Sequence, residues 1–353
     1  MLHVMRANGR ILLPGLLIAA LAGASYARLG AGEAGPLIAV HHEPRTVARR
    51  AGDLTVNIGG ALAPAVERAR WRLGNGPWET VAQGAPRVPA PGFVIEVAPA
   101  RLLPGPNRVT IEAFARGRPP ESRTVEFDYD PTPVRLPLRV DWERVAATTG
   151  LDSQEGRWEV VRGDDGPARV RPAPGAEGYD RLLLVAGAFP GGRRVETDII
   201  FRREVPGGPS GFGVLTMWGG RPDADGAAPR RGFRFALAWV YSRYKAVGGE
   251  FSDKDGGRPG AWAAAYRSFR PVPGVRYRLV AEAWPESDGA GRHVRHRQRL
   301  KWWADGEPEP SAWIEVADDE GAPIPPGEYG VALIAQRAQA EFGPVVIRPL
   351  SGP

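Results

Sequence analysis

The chain has 353 residues, of which 43% are hydrophobic and 24% charged, a composition that excludes wholesale disorder; at roughly 150 residues per domain it suggests two domains. It contains no cysteine, which excludes disulfides, thiolate metal sites and a cysteine nucleophile. The formal charge is +6, with 46 basic and 40 acidic residues interleaved, so net charge alone selects no partner.

Arg6 and Arg10 precede an apolar run over residues 11–24, and Ser25-Tyr26-Ala27 offers a small-x-small cleavage site. This is the pattern of a secretory signal peptide over residues 1–27. The run is shorter than the roughly 20 residues that span a bilayer, an uncleaved anchor being the alternative. No later window is apolar enough to span. The expectation is therefore a secreted or periplasmic protein with no membrane span after cleavage. Residues 28–50 lack apolar periodicity and read as a flexible linker; His41 and His42, beside Glu43, belong to this polar stretch.

Residues 51–130 read as a small β-sandwich. Residues 54–58, 68–73, 93–97, 108–114 and 124–129 alternate apolar and polar side chains, the period of a half-buried strand. Gly74-Asn75-Gly76-Pro77 and Leu103-Pro104-Gly105-Pro106-Asn107 supply turns. Trp71 and Trp78 flank the first turn; one buried and one partly exposed packing ring is the reading preferred over a sugar platform. With Trp71-Arg72-Leu73-Gly74-Asn75-Gly76-Pro77-Trp78, the second turn and the closing strand, this part resembles bacterial immunoglobulin-like or fibronectin-type modules. That resemblance implies a spacer or binding accessory.

Pro131-Thr132-Pro133 marks a joint, and residues 141–150 fit a short helix or turn. Beyond them strand patterns dominate to residue 353. Val195, Thr197, Ile199 and Phe201 share a face. So do Phe212, Val214, Thr216 and Trp218 in the next strand, and Phe233, Phe235, Leu237, Trp239 and Tyr241 in the one after. Val275, Tyr277, Leu279, Ala281 and Ala283 align likewise, as do Leu300 and Trp302. About ten strands without a convincing helix require two packed sheets, because a single sheet would leave an apolar face wet.

On Gly211-Phe212-Gly213-Val214-Leu215, Arg299-Leu300-Lys301-Trp302-Trp303-Ala304-Asp305-Gly306, Glu309-Pro310-Ser311-Ala312-Trp313, Gly330-Val331-Ala332-Leu333 and Ala340-Glu341-Phe342, this half resembles the concanavalin A-like lectin/glucanase sandwich of the laminin-G-like superfamily. The expected fold class is thus all-β: an immunoglobulin-like β-sandwich over 51–130, then a concanavalin A-like jelly-roll domain over 131–353. The resemblance is specific for fold and weak for activity, since lectins, glycosidases, lyases and adhesion modules share it.

Candidate chemistry is sparse. Glu196 and Asp198 share a strand face but lack the second glutamate of a glucanase E-x-D-x-x-E, with Glu282 as a partner from another strand; an outward polar face is the plainer reading. Tyr241-Ser242-Arg243-Tyr244-Lys245 resembles an alginate-lyase motif with the wrong spacing. Asp253 and Asp255, and Asp318 and Asp319, sit in loops that could hold a structural calcium, although neither pair has full ligand spacing and solvated turns explain both; no other cofactor is expected. The aromatic residues favour binding: Trp218, Trp239, Tyr241 and Tyr244, with Lys245 and Arg278, are the candidate ligand contacts, although Trp239 lies in an apolar stripe that reads as core. The basic run from Arg292 to Arg299, with Lys301, could form a nucleic-acid or acidic-glycan patch, but a solvated hairpin tip entering a strand with arginines on its outer face is the preferred reading, and no nucleic-acid partner is expected. The preferred function is a secreted or periplasmic, non-catalytic carbohydrate-binding or adhesion protein that contacts a polysaccharide or glycoconjugate. The alternative is a glycoside hydrolase or polysaccharide lyase acting in the groove of the second domain.

Overall fold

Where every second side chain is apolar, an extended segment can bury one face and wet the other, and such segments pair into sheets. In the computed structural model, which describes residues 35–350 except 86–87, 163–165, 224–228, 255–260 and 319–323, they form four sheets and two sandwiches. The chain divides into residues 1–35 and 36–353, and everything below belongs to the second unit. The apolar run on which the signal-peptide expectation rests lies outside the described residues, as do Asp255 and Asp319. No described helix is long and apolar enough to cross a membrane.

The first sandwich pairs a sheet of strands Ile38–Val40, Val56–Leu62, Val88–Val97 and Gln83–Ala85 with one of Thr46–Val47, Glu121–Tyr129, Gly105–Ala115, Val66–Leu73 and Glu79–Thr80. Val56, Ile58, Phe93 and Ile95 meet Trp71, Val109, Ile111 and Phe127 in its core. Trp71 is buried, whereas Trp78 lies half-buried under the guanidinium groups of Arg70 and Arg72. Over residues 36–50, the described part of the expected 28–50 linker, the structure differs from that expectation. Leu37, Ile38 and Val47 are core residues, and Thr46–Val47 runs parallel to the strand Glu121–Tyr129. Strands of two and three residues are too short to show a period, which is why they escaped notice.

In the second sandwich one sheet has the order Asp152–Glu155, Arg181–Phe189, Tyr329–Gln336, Gly211–Trp218, Phe233–Tyr241, Ala246–Lys254, Ala261–Ser268. The facing nine-stranded sheet is built around Arg193–Glu204, Arg276–Ser287 and His293–Ala304. Phe212, Val214, Ala238, Val331 and Leu333 from the first meet Val195, Ile199, Leu279, Leu300 and Phe342 from the second. A single α-helix among the described residues, Trp142–Thr148, starts at Asp141, whose carboxylate accepts the Arg144 amide at 3.1 Å, the standard N-cap bond.

The seven-stranded sheet is apolar on its second face too. Gly211–Trp218 is buried at every position and Arg181–Phe189 at all but two, the signature of strands covered on both sides. The outward face carries Leu182, Leu184, Leu215, Trp218, Leu237, Trp239, Ala332 and Ile334. Residues 49–57 cover one part of it. Leu54 packs into this cluster, and the Ala188 amide donates to the Arg49 carbonyl at 2.8 Å. Arg49 pairs with Glu328 at 2.6 Å, and Asn57 donates to the Gln154 carbonyl at 2.8 Å. The first sandwich is thereby anchored on the second sandwich's outer wall.

At the centre of the inner core Phe212 is fully buried, stacked on Phe201 at 5.1 Å and tilted against Trp302 at 6.0 Å. Phe212→Ala should lower the unfolding free energy by about 3–5 kcal/mol in a urea titration, the usual cost of an aromatic-sized cavity. A loss below about 1 kcal/mol would contradict this packing.

Candidate functional site

The part of the outward face that residues 49–57 leave open carries its own aromatic rings. Strand Phe233–Tyr241 places Trp239 and Tyr241 there, and the register sets Trp239 beside Gly248, and Gly248 beside Tyr266. The glycine is required: a Cβ at Gly248 would stand 2.6 Å from the Tyr266 ring. On the other side, Cβ atoms at Gly211 and Gly213 would stand 2.5 Å from Trp239 atoms. The indole therefore lies flat against the sheet, and its N–H donates to the Tyr266 hydroxyl at 3.2 Å. Tyr241 stacks on Trp239 at 4.5 Å, and Tyr244 meets Tyr241 edge-on at 4.5 Å. Trp239 is only 4% exposed, whereas Tyr244 is 62% and Tyr266 36% exposed. The result is a shelf with a fixed floor and two open rings.

Glu250 is the acid on this shelf. It lies opposite Leu237 and Ala264 and is half-buried, and burial pushes its carboxyl up to about 7, with the nearby Trp239 indole working against that rise. At neutral pH it is divided between a protonated form that donates and an ionised form that only accepts. Burial likewise pushes the Tyr241 phenol up to about 12, helped by Tyr244 and Glu250. The rim adds Tyr179, 44% exposed, with the Arg337 guanidinium 5.0 Å from its ring centre. Asp180 is raised to about 6 by burial and then by Glu155. Asp180, Lys245 and Arg337 have φ of 40°, 52° and 42°; they are the non-glycine residues with positive φ among those described. All three stand at this rim, two of them next to an exposed tyrosine. Backbone strain of this kind persists where the surroundings impose it, and it gathers at functional sites.

Trp239, Tyr241, Tyr244 and Lys245 thus come together. Trp218 does not join them: it is 2% exposed and packed in the cluster that Leu54 covers. A register shift between Leu215 and Met217 breaks the alternation that had put Trp218 with Phe212 and Val214. Arg278 is also misplaced. It lies on the solvent face of the other sheet, tied to Asp305 at 2.8 Å.

Glu196, Asp198 and Glu282 share that same solvent face, and each carboxylate is held by two arginines. Glu196 contacts Arg194 and Arg348; Asp198 contacts Arg169, and Arg276 at 3.6 Å; Glu282 contacts Arg194 at 2.9 Å and Arg299 at 2.6 Å. For Glu196, partial burial works upward, but the Arg194 and Arg348 hydrogen bonds hold the carboxyl below the usual range. The three carboxylates and their arginines thus form one ion-pair lattice on this face.

The described members of the two calcium candidates have protein partners. Asp253 pairs with Arg234 at 3.1 Å. Asp318 is buried, and its oxygens accept the His296 and Ile324 amides, both at 2.8 Å. Among the described residues no group of three or more His, Cys, Asp or Glu could hold a metal. The basic run is matched by acids: Arg292 with Asp288, Arg295 and Arg297 with Glu286, Arg299 with Glu282, Lys301 with Glu309. His42 is no loose side chain; its Nε2 accepts the Trp158 amide at 2.8 Å, and burial pushes it down to about 4.

Glu250, Tyr266, Tyr179, Asp180 and Arg337 were missed in the sequence. The available signal was Glu250 itself, a charge inside Gly248-Gly249-Glu250-Phe251, where a strand next to an aromatic stripe should be apolar.

No protein-family profile and no curated protein matches the chain. Solved structures that align with it include carbohydrate-binding module CBM66 from Bacillus subtilis, 17% identical, covering 54% of this chain and 94% of that one at a TM-score of 0.31. A legume lectin-like domain from Entamoeba histolytica is 9% identical and covers 62% of this chain and all of its own, at 0.37. The exoplasmic/lumenal domain of VIP36, in a Ca2+/Man3GlcNAc-bound form, is 11% identical, covering 56% and 84%, at 0.33.

Because the folded Glu250 holds its proton above the ordinary value of 4.5, its contribution to stability is complete below that value and fades as pH rises through about 7. Glu250→Gln should therefore gain thermal stability relative to the parent between about pH 5 and about pH 8. A difference constant across that window would contradict the buried setting of this carboxyl.

Proposed function

We propose that the chain is an exported glycan-binding protein, with an immunoglobulin-like first module and a concanavalin A-like second one, and that the Trp239–Tyr241–Tyr244–Tyr266 shelf holds a neutral saccharide. The shelf around Glu250 carries the reading. Exposed tyrosine rings offer flat apolar faces to the CH side of a pyranose, while their hydroxyls meet its hydroxyls at the edge. Protonated Glu250 can both donate to and accept from a sugar hydroxyl, and its partial burial makes such bonds stronger than in water. The immobile indole below means that little side-chain freedom is lost on binding. Export is supported by Arg6, Arg10 and the apolar run over residues 11–24.

A second reading, cleavage of the bound glycan, has one observation in its favour. Glu250 retains a proton near neutrality, as a general acid must. On that reading Glu250, and none of Glu196, Asp198 or Glu282, would be the acid.

A glycan array followed by calorimetry with the best neutral oligosaccharide tests the proposal. Tyr244→Ala and Tyr266→Ala should each weaken binding about three- to tenfold, in line with ~0.5–1.5 kcal/mol per stacked ring. Binding by the parent should weaken as pH rises through about 7, and binding by Glu250→Gln should not. A double tyrosine variant that binds like the parent would refute the assignment. New reducing ends that vanish in Glu250→Gln would favour cleavage.

A further inference from the structure

The solvent face of the five-stranded sheet in the first sandwich carries a row of cations. Strand Val66–Leu73 puts Arg68, Arg70 and Arg72 on one side, about 7 Å apart, because alternate strand residues point the same way. Across the ladder they face Phe114, Glu112 and Thr110. Aromatic rings accompany them: Arg68 lies 4.3 Å from the Phe114 centroid, and Arg70 and Arg72 lie 4.2 and 4.5 Å from that of Trp78. Glu112 neutralises Arg70 at 2.7 Å. Among the described residues Arg68 and Arg72 meet rings and no carboxylate, and the Arg72 Nε is buried without a hydrogen-bond partner. The row opens into a cavity of about 880 Å³ lined by Arg72, Arg45, Arg101 and Arg108, with Asn75 and Asp128. Glu79 and Glu126 match Arg101 and Arg108, each at 2.7 Å. Arg45 gives one nitrogen to the Ala147 carbonyl at 2.7 Å.

We propose that this row and its cavity bind an extended acidic polysaccharide through its carboxylate or sulfate groups. Guanidinium groups present forked donors that match such anions, and the rings hold the forks in place before binding. Each ring is already covered by two guanidinium groups, since Arg70 also lies 5.2 Å from Phe114. Rings engaged by guanidinium groups in this way are less open to a nucleobase, and the DNA arm of the test below separates the two ligand classes.

The test uses the full chain and four probes: polygalacturonate, heparin, neutral dextran and single-stranded DNA, each titrated at low and high salt. Polygalacturonate, heparin or both should bind, with affinity falling steeply as salt rises, and dextran should show no such salt-dependent binding. Binding by polygalacturonate alone assigns carboxylate recognition, by heparin alone sulfate recognition, and by both recognition of charge. An Arg68→Ala/Arg72→Ala variant, checked for folding by circular dichroism, should lose about tenfold or more in affinity. Glu112→Gln, which frees a third cation, should bind more tightly and decides the question if the double variant does not fold. The proposal is overturned if neither acidic polysaccharide binds, if Glu112→Gln binds no better than the parent, or if DNA outcompetes both polysaccharides.

Discussion

A sheet that is apolar on both faces must be covered on both, and the seven-stranded sheet meets this constraint unevenly. Its inner face packs on the second sheet; its outer face is covered partly by residues 49–57 around Leu54 and partly by its own indole and phenol rings. The attachment of the first sandwich, the burial of Trp218 and the flat seat of Trp239 are consequences of that one need to remove hydrocarbon from water. The aromatic shelf is where this covering stops, and there large rings remain at the boundary between apolar sheet and solvent.

Glu250 and the acids of the nine-stranded sheet sit in contrasting surroundings. On the nine-stranded sheet nearly every outward carboxylate meets an arginine, as Glu196, Asp198, Glu282, Glu286 and Glu341 do. Asp198, Glu282 and Glu341 are themselves buried, so these arginines compensate carboxylates that have lost contact with water. Glu250 lies among rings, with burial as the leading influence on its proton. Like Asp180 at the rim, it has a setting in which burial moves a carboxyl away from its behaviour in water.

Much of the architecture was legible because long strands keep their period. Val195 to Phe201, Tyr277 to Ala283 and Leu300 with Trp302 all face inward as alternation implies. The stripe from Phe233 to Tyr241 was equally clear, but alternation shows that a face is apolar and not which way it points; this stripe faces outward. The bulge before Trp218 and the short strands near residues 38 and 47 left no periodic trace. The shelf was half legible: Tyr241 and Tyr244 are neighbours in sequence, whereas Tyr266, Glu250 and Tyr179 reach it only through sheet register and loop placement.

The most direct measurement is an NMR titration following the tyrosine and tryptophan ring protons as a neutral oligosaccharide is added. Saturable shifts should be confined to Tyr179, Trp239, Tyr241, Tyr244 and Tyr266. Shifts confined to rings elsewhere, such as Trp284 and Trp313 on the nine-stranded sheet, would contradict the account.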